Sequence, residues 1–178
     1  TYAYSPTSNR IASVTPASGP VRNFSFDANG STLGDGVSTY AYDTRGRMVQ
    51  AVSAIGTTTY QVNALGQRVR KTNGLGDTVF HYDVRGRLVA ETSPAGAVVR
   101  EYIYLGDIPV AVAQPQLAFI HADHLNTPRL VADATGTAVW RWDQQEPFGN
   151  SPANEDPDAN SVAFDLPLRL PGQRYGIK

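Results

Sequence analysis

The stretch YAYDTRGRMV, Tyr40 to Val49, recurs in altered spelling as FSFDANGSTL from Phe24, YQVNALGQRV from Tyr60 and FHYDVRGRLV from Phe80. Each reads aromatic, any residue, aromatic or Val, Asp or Asn, two residues, then Gly, and successive starts lie 16, 20 and 20 residues apart. A short internal period of this kind marks a repeat array and takes precedence over other readings. A second series sharpens it: Gly36, Gly46, Gly56, Gly66, Gly76, Gly86, Gly96 and Gly106 fall at steps of ten. Glycine at that frequency costs a helix about 1 kcal/mol each time relative to Ala, whereas strand arrays that turn every ~8–12 residues need such punctuation. Residues 36 to 106 are therefore predicted to be consecutive antiparallel strands.

The turn chemistry agrees. Asp43-Thr44-Arg45-Gly46, Asn63-Ala64-Leu65-Gly66 and Asp83-Val84-Arg85-Gly86 place a side-chain acceptor first and glycine fourth, and Asp27 to Gly30 and Asp133 to Gly136 repeat the pattern. The acceptor takes a backbone N–H two residues on, and glycine adopts φ > 0 without a Cβ penalty, closing a short hairpin with a bulge. Strands of about six residues, roughly 20 Å, remain between turns. Tyr40 and Tyr42, Tyr60 and Val62, Phe80 and Tyr82, and Tyr102 and Tyr104 then share one side. Their alternates, such as Thr39, Gln61 and His81, are mostly polar, as expected of a sheet with one packed and one wetted face. The tyrosines read as packing groups rather than a sugar-stacking surface. Arg45, Arg47, Arg85 and Arg87 flank the turn glycines, where solvation is the default and ion pairing between strands the alternative.

Composition bounds the function. The 178 residues are 41% hydrophobic and 17% charged, in the ordinary globular range. With 15 basic against 16 acidic side chains the net charge is -1, which supplies no field to hold phosphates or anionic lipid. Nucleic acid is therefore not expected as a partner, and no apolar run approaches membrane-spanning length. The absence of cysteine removes disulfides, thiolate metal sites and cysteine nucleophiles. Thr1 to Arg10 lacks the basic and apolar pattern of an export signal, and a first residue other than Met reads as a fragment of a longer chain.

After about residue 114 the decade spacing fails and proline becomes frequent, at Pro115, Pro128, Pro147, Pro152, Pro157, Pro167 and Pro171. A different module is expected there. Ala118 to Asp143 still reads as strand, turn, strand with Trp140 and Trp142 on one side, and Asn150 to Ser161 reads as a polar loop. His121, Asp123 and His124 place three possible zinc or manganese ligands within four residues. In a strand, however, His121 and Asp123 share a face while His124 opposes them, so the favoured reading is hydrogen bonding to backbone where the chain turns into Asn126-Thr127-Pro128. Asp156, Asp158 and Asn160 match the first three positions of a calcium loop, but Ser161 stands where glycine belongs and Pro167 where a bidentate Glu belongs. A solvated acidic loop is expected instead. There is no Gly-x-Ser-x-Gly elbow, and Asp43 and Asp83 are explained as turn acceptors. No catalytic, cofactor-binding or metal-binding residue is assigned, and no enzyme activity is expected.

The strings YAYDTRGRMV and FHYDVRGRLV resemble the tyrosine-aspartate (YD) repeat of the Rhs family, and the stretch from His121 to Gln173, with HADHLNTPRLVADATGTAVWRWD and LPLRLPGQ, resembles the Rhs repeat-associated core. That resemblance implies an all-β antiparallel hairpin array, an arc of a hollow shell enclosing a C-terminal toxin domain in bacterial secreted or cell-surface polypeptides. It implies Rhs repeats over residues 1–113 and part of the core over 114–178, truncated before the segment in which the family cleaves itself. The implied partners are a toxin or effector domain and neighbouring shell segments, with no cofactor. The alternative is a surface module that binds a glycan or protein. A meander also ends in unpaired strands, so self-association is expected through sheet edges or by burial of the Tyr40, Tyr60 and Phe80 stripe, unless the module after residue 114 folds back over it.

Overall fold

The computed structural model describes residues 1–143, 151–170 and 173–174, and among them are sixteen β-strands and no helix. In chain order these are β1 (Tyr2–Tyr4), β2 (Ile11–Val14), β3 (Arg22–Asn23), β4 (Ser25–Phe26), β5 (Thr32–Gly34), β6 (Thr39–Tyr42), β7 (Met48–Ser53), β8 (Gly56–Val62) and β9 (Arg68–Asn73). There follow β10 (Gly76–Tyr82), β11 (Leu88–Thr92), β12 (Val98–Leu105), β13 (Ile108–Ala113), β14 (Leu117–Ala122), β15 (Pro128–Ala132) and β16 (Ala138–Arg141). None of the described residues belongs to a helix long and apolar enough to cross a membrane.

The chain divides into two compact units, Thr1–Val79 and Phe80–Lys178, with the division inside β10. In the first unit β1, β2 and β3 form a small sheet, and β4 to β9 with the first half of β10 pair in chain order. In the second unit the rest of β10 and then β11 to β16 also follow chain order. The pairings are antiparallel, as the hairpin turns require.

Two kinds of turn recur, each for a local reason. At Asp43, Oδ1 accepts the N–H groups of Arg45 and Arg47 at 2.9 and 3.0 Å, and the Asp43 carbonyl accepts the Gly46 N–H at 2.9 Å. Asn63 and Asp83 build the same turn, with φ of 84° at Gly66 and 82° at Gly86. The expected bulges appear as register shifts between Ala41 and Tyr42 and between Gln61 and Val62. At Asp123 the fourth position is Asn126, with φ 62°, a conformation that Asn tolerates better than most residues. After β7, β9 and β12 the loops have two residues, since Ser53 pairs with Gly56, Asn73 with Gly76 and Leu105 with Ile108.

Burial is unequal. In the first unit Gly34 is the one buried position among the described residues, and Tyr40, Tyr42 and Tyr60 are half-buried. In the second, Tyr102, Val112, Ala118, Ile120, Val131, Trp140, Trp142 and Leu166 form a core. The register builds it: Tyr102 opposes Val112 and Val112 opposes Ala118, while Ile120 opposes Val131 and Val131 opposes Trp140. Directly opposed residues share a face, so the core lies on the aromatic side of the sheet.

The wetted face holds for the first unit, where Thr39, Thr59 and Gln61 are exposed. In the second unit His81, Glu101 and His121 keep it, but the same two-residue alternation also places Ile103, Leu117 and Phe119 outward, 46%, 44% and 45% exposed. Of the loop expected from Asn150 to Ser161, Asn150 lies outside the described residues, as do Pro147 and Pro171. The described part is irregular apart from one bridge between Arg141 and Asn154.

Candidate functional site

The most developed arrangement in the molecule is the cover over the aromatic face of the second unit. Residues 164–170 with 173 and 174 form a strap laid on that face. Leu166 is fully buried in the core, and Phe164, Leu168 and Leu170 pack around it. The alternation Leu166-Pro167-Leu168-Arg169-Leu170 suits an extended segment that must press apolar side chains onto a sheet. The Arg169 guanidinium lies 5.2 Å from the Trp140 ring and 5.3 Å from that of Trp142, and donates to the carbonyls of Leu166 and Leu168. The Arg174 guanidinium sits 4.7 Å over Phe80. The electron-rich ring faces favour such cations, by about 1–2 kcal/mol where water is excluded.

A buried carboxylate fixes the strap electrostatically. Glu91 on β11 is 1% exposed. Its Oε1 accepts the Tyr102 hydroxyl at 2.7 Å, and its Oε2 accepts Arg174 Nη2 at 2.7 Å. Arg100 Nε stands 3.8 Å from the same carboxylate, and Arg100 also donates to the Asp165 carbonyl at 2.8 Å and side chain at 3.0 Å. Burial and then the neighbouring Glu91 charge push the Tyr102 hydroxyl well above its ordinary value, so it stays a donor. The first unit holds a simpler version: Asp35 Oδ2 accepts the Tyr40 hydroxyl at 3.1 Å and Arg22 Nη2 at 2.5 Å.

A cavity of about 340 Å³ opens between strap and sheet, lined among others by Tyr82, Arg87, Tyr104, Leu168 and Arg174. Two of its guanidinium groups are engaged, Arg174 with Glu91 and Arg87 with Asp83 at 2.6 Å. Burial raises the Tyr104 hydroxyl to about 12, and it donates to the Leu88 carbonyl.

Of the residues singled out from sequence, Asp123 is a turn acceptor: Oδ1 takes the N–H groups of Leu125 and Thr127, and Oδ2 pairs with Arg129 at 2.8 Å. Burial alone would raise its carboxyl, but the two amides and Arg129 hold it below the ordinary value. His121 and His124 are exposed, and among the described residues no three His, Asp or Glu side chains are grouped to hold a metal. Asp156 accepts the N–H groups of Asn160 and Ser161 at 3.0 and 3.1 Å, and Asn160 Nδ2 donates to Asp158 at 2.6 Å, so the acidic loop closes on itself.

The arginines beside the turns divide. Arg45 and Arg85 are exposed, as expected by default. Arg47 instead pairs with Asp43 at 2.7 Å and donates to the Asn63 carbonyl of the next turn at 2.7 Å, and Arg87 pairs with Asp83 and donates to the Gly106 carbonyl. The signal was present in the Asp-x-Arg-Gly-Arg spelling, since position four after the acceptor returns to its side of the hairpin. Glu91, Arg100 and Arg174 went unnoticed because their contacts join residues up to 83 positions apart, which no local pattern encodes.

Residues 62–98 match the family model described as RHS Repeat. No curated protein matches the chain. Among solved structures it is similar to a TcdB2-TccC3 crystal structure, at 15% identity with a TM-score of 0.41, covering 74% of this chain and 8% of that one. A TcdB2-TccC3-TEV crystal structure gives 16% identity, a TM-score of 0.41 and coverage of 72% and 8%. A Tc holotoxin pore of Photorhabdus luminescens gives 11% identity, a TM-score of 0.34 and coverage of 79% and 14%. The chain thus spans a small part of each of those chains. Residues 62–98, from the end of β8 through the Asp83 turn to the start of β12, thus carry an RHS repeat built on Asp/Asn-x-x-Gly hairpins.

Proposed function

We propose that the chain is a wall segment of an Rhs-type β-shell that shields a C-terminal toxin or effector domain for secretion or delivery. The observation that supports this most is the strap: repeat strands in chain order whose aromatic face is overlaid by non-repeat sequence, with the charged groups used to fasten the layers. On this reading residues 1–113 are repeats and 114–178 belong to the closing core. The partners are the shielded domain and adjoining wall strands, the chain itself performs no turnover, and the whole protein is secreted or displayed at the cell surface. A glycan-binding surface is less favoured, because the Tyr40, Tyr42 and Tyr102 hydroxyls are already committed to Asp35, the Thr32 carbonyl and Glu91.

The test is limited proteolysis of the full polypeptide encoded in the reading frame. The segment that follows the core is expected to resist digestion until the repeat wall is unfolded, and to be cut rapidly when produced alone. Equal digestion in both settings, or a reading frame with no domain after the core, overturns the proposal.

A further inference from the structure

The face of the second unit turned away from the strap carries a trough. Across β12 and β13 Glu101 opposes Ala113 and Ile103 opposes Ala111; across β13 and β14 Ala111 opposes Phe119 and Ala113 opposes Leu117. Opposed residues share a face. Ala111 and Ala113 therefore form a floor along β13, walled by Glu101 and Ile103 on one side and by Leu117 and Phe119 on the other. The apolar wall residues are 44% to 46% exposed, while Ala111 at the bottom is 5% exposed. The wall strands stand two inter-strand spacings apart, about 9.5 Å, which admits one row of side chains. Tyr102, Val112, Ala118 and Ile120 alternate with these residues and point into the core, so the trough is separate from it.

Size and charge choose the occupant. Two floor residues span about 7 Å and the walls stand about 9.5 Å apart, so the trough floor covers on the order of 70 Å². A stable dimer buries about 800 Å² on each partner, so a second copy of this chain is too large an answer for so small a site. An extended segment anchoring one bulky side chain fits it. Glu101 is the charged group of the walls, and it stands two residues along from Ile103 on the same face. In an extended ligand, residues two apart also share a face.

We infer that the Ala111–Ala113 trough docks an extended polypeptide that places an aliphatic or aromatic residue between Ile103 and Phe119 and, two positions along, a Lys or Arg against Glu101. The inference does not depend on the shell reading.

Fluorescence anisotropy of this chain with two labelled peptides tests it, one carrying Leu-Ser-Arg and the other Leu-Ser-Glu in otherwise identical Gly-Ser sequence. The Arg peptide is expected to bind with a dissociation constant below about 1 mM and about tenfold tighter than the Glu peptide. Ala111→Leu, which fills the floor, should abolish binding, and Glu101→Arg, an exposed change that leaves the fold intact, should reverse the preference. Equal binding of the two peptides, no binding of either, or an unchanged preference in Glu101→Arg overturns the inference.

Discussion

The two units carry the same repeat and the same turns, yet the second is a closed two-layer structure and the first an open sheet. The largest fully buried side chains, among them Trp140, Trp142, Leu166 and Glu91, all belong to the second unit. The difference is the strap. A sheet presents one packed face only if another layer lies on it, and the repeat supplies the strands, not the layer. Hence Phe80 is 4% exposed, beneath Arg174, while Tyr60, at the same position one repeat earlier, stays half-buried with the Arg68 guanidinium 4.0 Å over its ring. The burial expected for the Tyr40, Tyr60 and Phe80 stripe is thus achieved within the chain at Phe80 alone.

The largest test of this contrast lies in the core. Trp140→Ala should destabilise the second unit by about 3–5 kcal/mol, because it removes a fully buried aromatic and leaves a cavity. Tyr60→Ala in the first unit should cost about 1 kcal/mol, the scale of an ordinary destabilising substitution. Denaturant titration gives the magnitudes, and hydrogen exchange assigns them to strands. Equal costs at the two sites would mean that the first unit has a cover of its own.

Next come the two carboxylates that accept a tyrosine hydroxyl and an arginine. Glu91→Ala should cost about 3–5 kcal/mol, because Arg174 and the Tyr102 hydroxyl lose a partner in a buried setting. Asp35→Ala should cost about 1 kcal/mol, since the Arg22 side chain is 40% exposed and water can replace the contact. Faster proteolysis within the strap of the Glu91 variant would accompany its loss of stability. A Glu91 variant as stable as the Asp35 variant would show that the strap is held by Leu166 and the tryptophans alone.

The strand periodicity and the turns were legible because their causes are local: Asp43, Asn63 and Asp83 bond to amides two and four residues on, and Gly46, Gly66 and Gly86 take positive φ. The strap was foreseen only as one of several possible covers for the aromatic face. Its fastening was not legible, since Glu91 looks like any strand residue until Arg174 arrives 83 residues later. The outward Ile103 and Phe119 likewise depart from the polar alternates of Thr39 and Gln61, and only the register shows them flanking Ala111.

Glycines separate two local causes of a similar effect. At Gly36, φ is 87° and an added Cβ would lie 2.7 Å from Arg22 Cα, so Gly36→Ala combines strain with a backbone clash and should cost about 3 kcal/mol. At Gly66, φ is 84° but nothing lies within 4 Å, so Gly66→Val should cost about 1–3 kcal/mol through backbone strain alone. Thermal melts of both variants rank them; a Gly66→Val protein as stable as the parent would refute the left-handed turn.

The smallest effect should be the one that the two units share. The Asp43 carboxyl in the first unit is pulled from its ordinary 3.8 to about 2, first by the Arg47 side chain and then by backbone amides. Asp83 in the second is lowered chiefly by the Arg87 backbone N–H, with the Arg87 side chain adding to it. A carboxyl whose folded value is depressed contributes stability that is fully present above its unfolded value and lost as pH falls through the folded one. For Asp43 that window runs from about pH 4 down to about pH 2. Because the same turn occurs in both units, acid should weaken their hairpins alike, whereas the core and strap substitutions act on the second unit alone. Hydrogen exchange followed as pH falls would show the amides of both Arg47 and Arg87 losing protection. Asp43→Asn should flatten the acid response at Arg47 and leave that at Arg87 unchanged, and protection lost first throughout the second unit would mean that acid acts on the strap rather than on the turns.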